Sequence, residues 1–209
     1  LSLLFYSMYS EMSSRIRHDR QVLMTETADA LLSRIDEWLD KNIRVLKTAA
    51  IQSPVRGMDP LAQTEVLQAI AQEYPWIYLV FTLDQNGMNL ARSDSGPLKD
   101  YSDRAYFKDL KMGSALSWQT LVGKTSNKPA LVLALPIFQN GIFSGVIAAA
   151  MTTEAISRSV AGWQIGSSGF AYLTDEQNKI IAHPDRQYVL EERRIQKTSI
   201  ADPGFKTVL

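Results

Sequence analysis

Arg104 carries the most suggestive chemistry in this sequence. It follows Asp103 and precedes Tyr106 and Phe107, and the pattern predicts a short helix that Ser102 caps, with Arg104 in its first turn. A guanidinium binds a carboxylate or phosphate through two parallel hydrogen bonds, and the positive potential of a helix N-terminus adds to the attraction. The alternative is structural: Arg104 could pair with a nearby aspartate and brace a loop.

Further candidates come from segments that an α/β arrangement brings near Arg104. Trp118 and Gln119 lie on opposite faces of a predicted strand. Whichever face is turned toward the Arg104 helix is expected to line a ligand pocket. Buried aromatic side chains such as Trp118 and Tyr78 belong to a core more often than to a binding site. The candidate ligand-binding residues are Arg104, Tyr106, Tyr101, Asp103, Trp118, Gln119 and Tyr78.

Two other segments resemble reactive motifs. His183 with Asp175 and Asp185 offers the base and carboxylates of a hydrolase, but Pro184 ends the strand and Asp185 suits an Asx turn. The run Gly123-Lys-Thr125 resembles the end of a phosphate-binding loop, but the earlier glycine is missing and a hairpin follows. We therefore expect no catalytic residue and no nucleotide site; a hydrolase stays an alternative.

Composition excludes several classes of function. The chain has 209 residues, 45% of them apolar, so it can bury a large core. Lysine plus arginine and aspartate plus glutamate balance at 22 each, which leaves no net field for nucleic acid. The absence of cysteine excludes thiolate zinc sites, and two histidines supply few ligands for a multi-histidine metal centre. We expect no metal and no cofactor.

The N-terminal quarter predicts one long helix. Residues 10–51 lack glycine and proline, and apolar residues recur at three- and four-residue steps. About 40 helical residues reach roughly 60 Å, more than a compact domain needs, so residues 10–52 are predicted to be a stalk that pairs two copies in a homodimer. The alternative is a helix that lies on its own core only. Residues 1–9 are uncharged and predict the end of a transmembrane helix, or else the frayed start of a soluble one.

The remaining chain predicts an α+β fold with an antiparallel five-stranded sheet. Ser53-Pro54 ends the long helix, and turn residues separate the later elements. A second hairpin repeats the first, because Asp84 and Asp94 match Asp175 and Asp185 with the same ten-residue spacing. We predict two tandem subdomains, residues 53–151 and an incomplete 163–209, joined by a helix at 152–162. The predicted elements are helices 61–71 and 102–112 and strands 76–83, 88–92, 116–122, 130–137 and 142–150.

Five stretches have an order and spacing that is typical of a known family. The stretches are DRAYFK at 103–108, GKTSNKPALVLALP at 123–136, GIFSGVI at 141–147, IGSSGFAYLTD at 165–175 and IAHPD at 181–185. Together they resemble the double Cache sensor domains of bacterial chemoreceptors, histidine kinases and diguanylate cyclases. The resemblance implies two tandem PAS-like folds behind a long helix, a periplasmic or extracellular module held in the bacterial inner membrane by flanking helices, and a ligand in the first copy.

The resemblance also narrows the ligand. In that family the arginine equivalent to Arg104 commonly faces the pocket, and amino-acid-binding members add a carboxylate after a Gly-Val pair to hold the ammonium group. Here residues 145–150 read GVIAAA, without a carboxylate. The expected function is therefore the sensing domain of a chemotaxis receptor that binds a carboxylate or another small polar molecule without an ammonium group. The alternatives are a histidine kinase or diguanylate cyclase sensor, and a partner-binding module whose pocket is filled by its own aromatic side chains.

Overall fold

A computed structural model describes residues 2–161, 164–165, 169–175, 179–183 and 185–189. A five-stranded sheet lies at its centre, with helices on both faces. A short 3-10 turn at Arg186–Tyr188 follows the last strand. The elements are α1 Ser2–Ala50, α2 Ser53–Arg56, α3 Pro60–Glu73, β1 Ile77–Asp84, β2 Asn89–Arg92, α4 Ala105–Lys111, β3 Ser117–Val122, β4 Pro129–Gln139, β5 Ile142–Thr152, α5 Thr153–Ala161, β6 Gln164–Ile165, β7 Gly169–Phe170, β8 Leu173–Thr174 and β9 Ile180–Ala182.

Helix α1 confirms the predicted long helix and extends it to Ser2, with no break near residue 10. Its 49 residues reach about 74 Å. From residue 4 onward the first buried side chain is Leu31, and apolar side chains before it, such as Phe5 and Met12, are exposed. The second half packs on the sheet through Leu46 and neighbouring residues. Within the described part of the chain, no helix has both the length and the apolar composition to cross a membrane.

The sheet has the order β2-β1-β5-β4-β3, and each neighbouring pair is antiparallel, as the sequence predicts. Side chains alternate between two hydrophobic clusters because successive residues of a strand point to opposite faces. On β4, Leu131 and Leu133 face the cluster formed with α1 and α3, whereas Val132 faces the cluster formed with α4. We call these the α1 face and the α4 face of the sheet.

The prediction for α4 needs a correction at its start. Asp100 Oδ1 accepts a hydrogen bond from the Ser102 amide at 2.8 Å, which forms an Asx turn ahead of the helix. The N-cap is Arg104 rather than Ser102, and the helix runs over Ala105–Lys111. Arg104 therefore stands at the entrance of the helix, where its extended backbone turns the side chain toward the strands.

The described residues after α5 show the predicted second hairpin, β8 paired with β9. Its turn matches the first: the Asp84 carboxylate accepts a hydrogen bond from the Met88 amide at 2.9 Å, and Asp175 accepts one from Lys179 at 2.8 Å. Strand β9 is buried and extends the cluster on the α1 face through Ile181 and Ala182. The match supports a duplicated unit, and the predicted residues 190–209 of that unit lie outside the described residues.

Candidate ligand-binding site

A small cavity lies on the α4 face of the sheet. Its walls come from strands β1, β3, β4 and β5, from the start of α4, and from the loop that joins β3 to β4. The aromatic rings of Tyr78, Phe81, Tyr101 and Tyr106 surround it. The free volume is about 20 Å³, which holds roughly one water molecule. In this conformation the aromatic side chains fill most of the space that a ligand would take.

Four of the seven predicted residues meet at this cavity: Arg104, Tyr106, Tyr101 and Tyr78. Tyr78 reaches it through an irregularity in β1. Ile77 pairs with Met151 and Leu79 pairs with Ala150, so Tyr78 is an extra residue on its strand. Such a bulge re-aims side chains, and here both Tyr78 and Leu79 face the cavity. The sequence gives no sign of this bulge.

Arg104 keeps hydrogen-bonding capacity at the cavity. One Nη donates to the Val122 carbonyl at 3.3 Å, while its Nε is buried without a partner. Among the described residues, no carboxylate lies within ion-pair distance of this guanidinium. The structure therefore does not show the bracing ion pair that was the alternative role for Arg104.

Arg92 performs the bracing role, and the sequence analysis missed it. Its Nε and one Nη donate to the two carboxylate oxygens of Asp94 at 2.7 and 2.9 Å, and its side chain is 2% exposed. It also donates to Thr125 Oγ1 at 3.3 Å. The hydrogen bonds from Arg92 hold the pKa of Asp94 below its usual range, although partial burial opposes the effect. The two-residue spacing of Arg92 and Asp94 was the available signal.

Lys124 is a second residue that the sequence analysis missed as a site residue. Its ammonium donates to Asp103 Oδ1 at 2.6 Å and to the Asp100 carbonyl at 2.7 Å, and it lies 5.4 Å from the ring centre of Tyr101. The hydrogen bond from Lys124 lowers the pKa of Asp103. Asp103 itself is exposed and lies at the rim, so the structure does not bring this predicted residue into the cavity.

Residues 123–128, which we call the cover loop, line one side of the cavity and contact the segment before α4 and strands β1 and β2. Lys124 bonds the segment before α4, Thr125 accepts a hydrogen bond from Arg92, and Ser126 Oγ lies 3.4 Å from the Tyr78 hydroxyl. Burial raises the pKa of Tyr78, and the hydrogen bond with Ser126 opposes that rise. The cover loop is therefore fastened by polar contacts rather than by apolar packing.

Trp118 and Gln119 occupy different faces of β3. Trp118 packs against the cluster on the α1 face, so the structure does not bring this predicted residue to the cavity. The reason is strand alternation: Leu121 lines the cavity, which places Trp118 on the opposite side. Gln119 shares the face of Leu121 and pairs with Val132, another lining residue. Its Oε1 is buried without a partner, but Gln119 is not among the residues that line the cavity.

The residues of the alternative hydrolase site have local structural partners. His183 Nδ1 accepts a hydrogen bond from the Asp185 amide at 2.9 Å. The ring packs edge-on against Phe170 and Tyr188, and His183 is 8% exposed. Asp175 holds its own hairpin turn through Lys179. The three side chains thus lie along one hairpin, each engaged with its neighbours.

Comparison with known protein families shows to which one this chain belongs. The model of the Cache domain family matches residues 9–207. The chain belongs to the Cache domain family. This match confirms the resemblance seen in the sequence, and with it the α+β fold of a long N-terminal helix followed by a PAS-like antiparallel sheet.

This Cache domain is similar to parts of larger signalling proteins. It is 23% identical over 193 residues to the methyl-accepting chemotaxis protein PctB of Pseudomonas aeruginosa, covering 89% of this chain and 30% of that protein. The chain thus spans about a third of this relative's length.

Solved structures show the same fold. The ligand-binding domain of the Pseudomonas fluorescens chemoreceptor CtaA, in complex with L-isoleucine, superposes with a TM-score of 0.73 at 18% identity, over 85% of this chain and 74% of that one. The sensor domain of the V. cholerae histidine kinase DctB gives a TM-score of 0.65 at 20% identity, over 78% and 66%.

Proposed function

We propose that this Cache domain is the extracytoplasmic ligand-sensing part of a bacterial transmembrane chemoreceptor, and that it binds a small carboxylate in the cavity beneath the cover loop. The observation that carries the proposal is Arg104, which faces the cavity without a carboxylate partner in the described chain and with a buried, unpartnered Nε. A carboxylate can accept from Nε and Nη together, which satisfies both donors.

The charges around the cavity favour one anionic group. Arg92 is paired with Asp94, and Lys124 is paired with Asp103. Arg104 is left as a cation whose charge no such pair balances. A partly desolvated charge is costly unless it is paired, so a ligand carboxylate at Arg104 gains an interaction that the protein does not already make.

The lining favours a ligand without an ammonium group. No aspartate or glutamate is among the residues that line the cavity, whereas Arg104 and Lys124 are. CtaA is bound to L-isoleucine, an α-amino acid. A ligand ammonium group placed here would meet two cations and tyrosine hydroxyls, so we expect the deaminated acid to bind more tightly than the amino acid.

Binding requires the cover loop to move. Space for one water molecule cannot hold an organic acid, and the polar contacts of Lys124, Thr125 and Ser126 are the ones that must break. A ligand carboxylate would replace the Val122 carbonyl as the partner of Arg104. The loop then closes over the ligand or stays open according to how well these contacts re-form.

A thermal-shift assay with matched pairs tests the proposal. The pairs are 3-methylpentanoate with L-isoleucine and propanoate with L-alanine, which differ by the amino group alone. A ligand at 100 times its Kd stabilises the folded state by about 2.7 kcal/mol, or roughly 5–10 °C for a chain of this size. We expect the deaminated acids to raise the midpoint more. A larger rise with the amino acids would refute the preference, and no rise with any acid would refute the carboxylate site.

We further propose that two copies pair through the first half of α1 and that this half leads toward the membrane. Its exposed apolar side chains support pairing, because they have no contact with the chain's own sheet. The chain has no cysteine, so one introduced cysteine reports contact cleanly. Leu23→Cys should form a disulfide-linked dimer under mild oxidation, and Leu61→Cys, at a still more exposed leucine on α3, should not.

A second candidate function is a module that binds a partner protein and no small molecule. The cavity filled by its own tyrosine and phenylalanine rings favours it. The matched-pair assay separates the two functions, because such a module would show no shift with any acid. Hydrogen-exchange protection at the cover loop on adding a small acid would count against the partner-binding function.

A further inference from the structure

A half-buried hydrogen bond joins helix α1 to the residue that precedes strand β1. Trp76 Nε1 donates to Asn42 Oδ1 at 3.0 Å, and Asn42 Nδ2 donates to the Trp38 carbonyl one turn earlier at 2.6 Å. Asn42 is 1% exposed on the apolar face of α1. Lys41 covers the pair, with its ammonium 4.8 Å from the Trp76 ring centre and 5.3 Å from that of Tyr74.

This bond fixes how α1 lies along the sheet. Apolar burial is not directional, so leucine and alanine side chains on a helix face can repack after a small slide. The hydrogen bond between Asn42 and Trp76 is directional, and a slide that separates the two groups leaves the buried amide oxygen of Asn42 unpaired. Leaving a buried polar group unpaired is unfavourable, so one position of α1 is selected.

The same strand leads from this bond to the cavity. Trp76 directly precedes β1, and the bulge that turns Tyr78 into the cavity begins at the next residue. The Trp76 carbonyl also accepts a hydrogen bond from the Thr152 amide at 3.2 Å, which ties the start of β1 to the end of β5. At the other end of this path, Tyr78 contacts Ser126 of the cover loop. A bulge lets a strand bend locally, so movement of Tyr78 can be passed to Trp76 without breaking the sheet.

We propose that the Asn42–Trp76 hydrogen bond couples the cavity to α1, so that opening of the cover loop shifts the position of the helix through Tyr78 and the β1 bulge. This inference rests on the proposed sensing function and names the contact through which that function would reach the helix. Helix shifts of an ångström or two are sufficient to change helix pairs at an interface. In this proposal α1 takes one position along the sheet when the cover loop is closed and another when it is open. Trp76 is the residue that sets the position.

Hydrogen–deuterium exchange of the whole 209-residue chain tests the coupling without any ligand. Replacing residues 124–127 with glycine (K124G/T125G/S126G/N127G) removes the side-chain contacts that fasten the cover loop. We expect this variant to change the exchange rates of α1 amides at residues 38–46 by about fivefold or more, the lower range of coupling between sites. Adding Trp76→Phe, which keeps the ring and removes the N–H, should reduce that change to less than about twofold.

Trp118→Phe is the matched control, because it makes the same replacement on the same face of the sheet. It should leave the full response of α1 to the glycine loop. The proposal is overturned if the glycine loop leaves α1 exchange unchanged, or if the response persists in the Trp76→Phe background. Either result stands whether or not any carboxylate binds, so failure of the coupling and failure of the ligand site are separate outcomes.

Discussion

The two faces of the sheet bury polar groups of different kinds. On the α1 face these are amides and hydroxyls, and most are paired inside the protein: Asn42 with Trp76, and Gln63 with Thr82. Thr120 Oγ1, in contrast, is buried without a partner. On the α4 face the polar groups include guanidinium, ammonium and phenol groups around a cavity, and Arg104 has donor capacity to spare.

The difference separates stability from recognition. A face whose buried groups are neutral and paired gains from close packing and has little to offer a ligand. A face that keeps a cation without an anionic partner lowers the stability of the fold. A ligand that pairs with that cation raises the stability again. Substitutions on the α1 face should therefore lower the free energy of unfolding, and substitutions on the α4 face should change ligand affinity.

The largest expected effect is on binding. Arg104→Glu should weaken binding of 3-methylpentanoate by more than about 30-fold, because truncating one partner of a charged pair costs about 2 kcal/mol or more and the reversed charge adds repulsion. Isothermal titration calorimetry measures it. Arg44→Glu, at an exposed position of α1, is the control and should bind normally. Retained affinity in Arg104→Glu would show that the cavity is not the site.

The matching change on the α1 face should affect stability alone. Leu46 is fully buried, so Leu46→Ala should lower the free energy of unfolding by about 2–5 kcal/mol through lost burial and a new cavity. Urea unfolding followed by circular dichroism gives the value. Ligand affinity of the folded variant should stay within about twofold, because Leu46 is not part of the Asn42–Trp76 contact through which we propose that the faces are coupled. A larger loss would mean that the coupling also runs through Leu46.

A smaller effect is expected at the rim. Asp103→Asn removes the charge that holds Lys124 of the cover loop. We expect the loop to open more often, so association and dissociation of 3-methylpentanoate should both become faster by a few fold while Kd changes little. Stopped-flow fluorescence measures the rates. Unchanged rates would show that this ion pair does not limit opening.

The smallest effect concerns pH. Arg92 lowers the pKa of Asp94 in the folded state, so this carboxylate stabilises the fold above its unfolded pKa near 4 and loses that contribution as the pH falls through the lower folded pKa. Asp94→Asn should therefore be less stable than the parent at pH 6, and the gap should narrow toward pH 2–3. Thermal midpoints across this range test the sign. A gap that widens at low pH would contradict it.

Local patterns in the sequence predicted most of the backbone. The helical spacing of apolar residues in α1 and the continuous apolar run of β4 between turn residues indicate a helix and a strand directly. Gly87 and Gly141 adopt positive φ angles of 88° and 79° in the turns where the sequence places them. The presence of Arg104 among aromatic residues was likewise visible, because it depends on neighbours in the chain.

The tertiary structure decided which cation is free and which aromatic ring faces the cavity. The two-residue spacing of Arg92 and Asp94 shows that they can pair, but Arg104 also has an aspartate beside it in the sequence. The contact of Arg92 with Thr125, 33 residues away, exists only in the folded chain. The bulge that turns Tyr78 inward depends on pairing with β5, and the face of Trp118 depends on which side α1 covers. Hydrophobic periodicity fixes which residues are buried within each element, whereas pairing of charges and choice of face depend on through-space distances that exist only once the elements have packed.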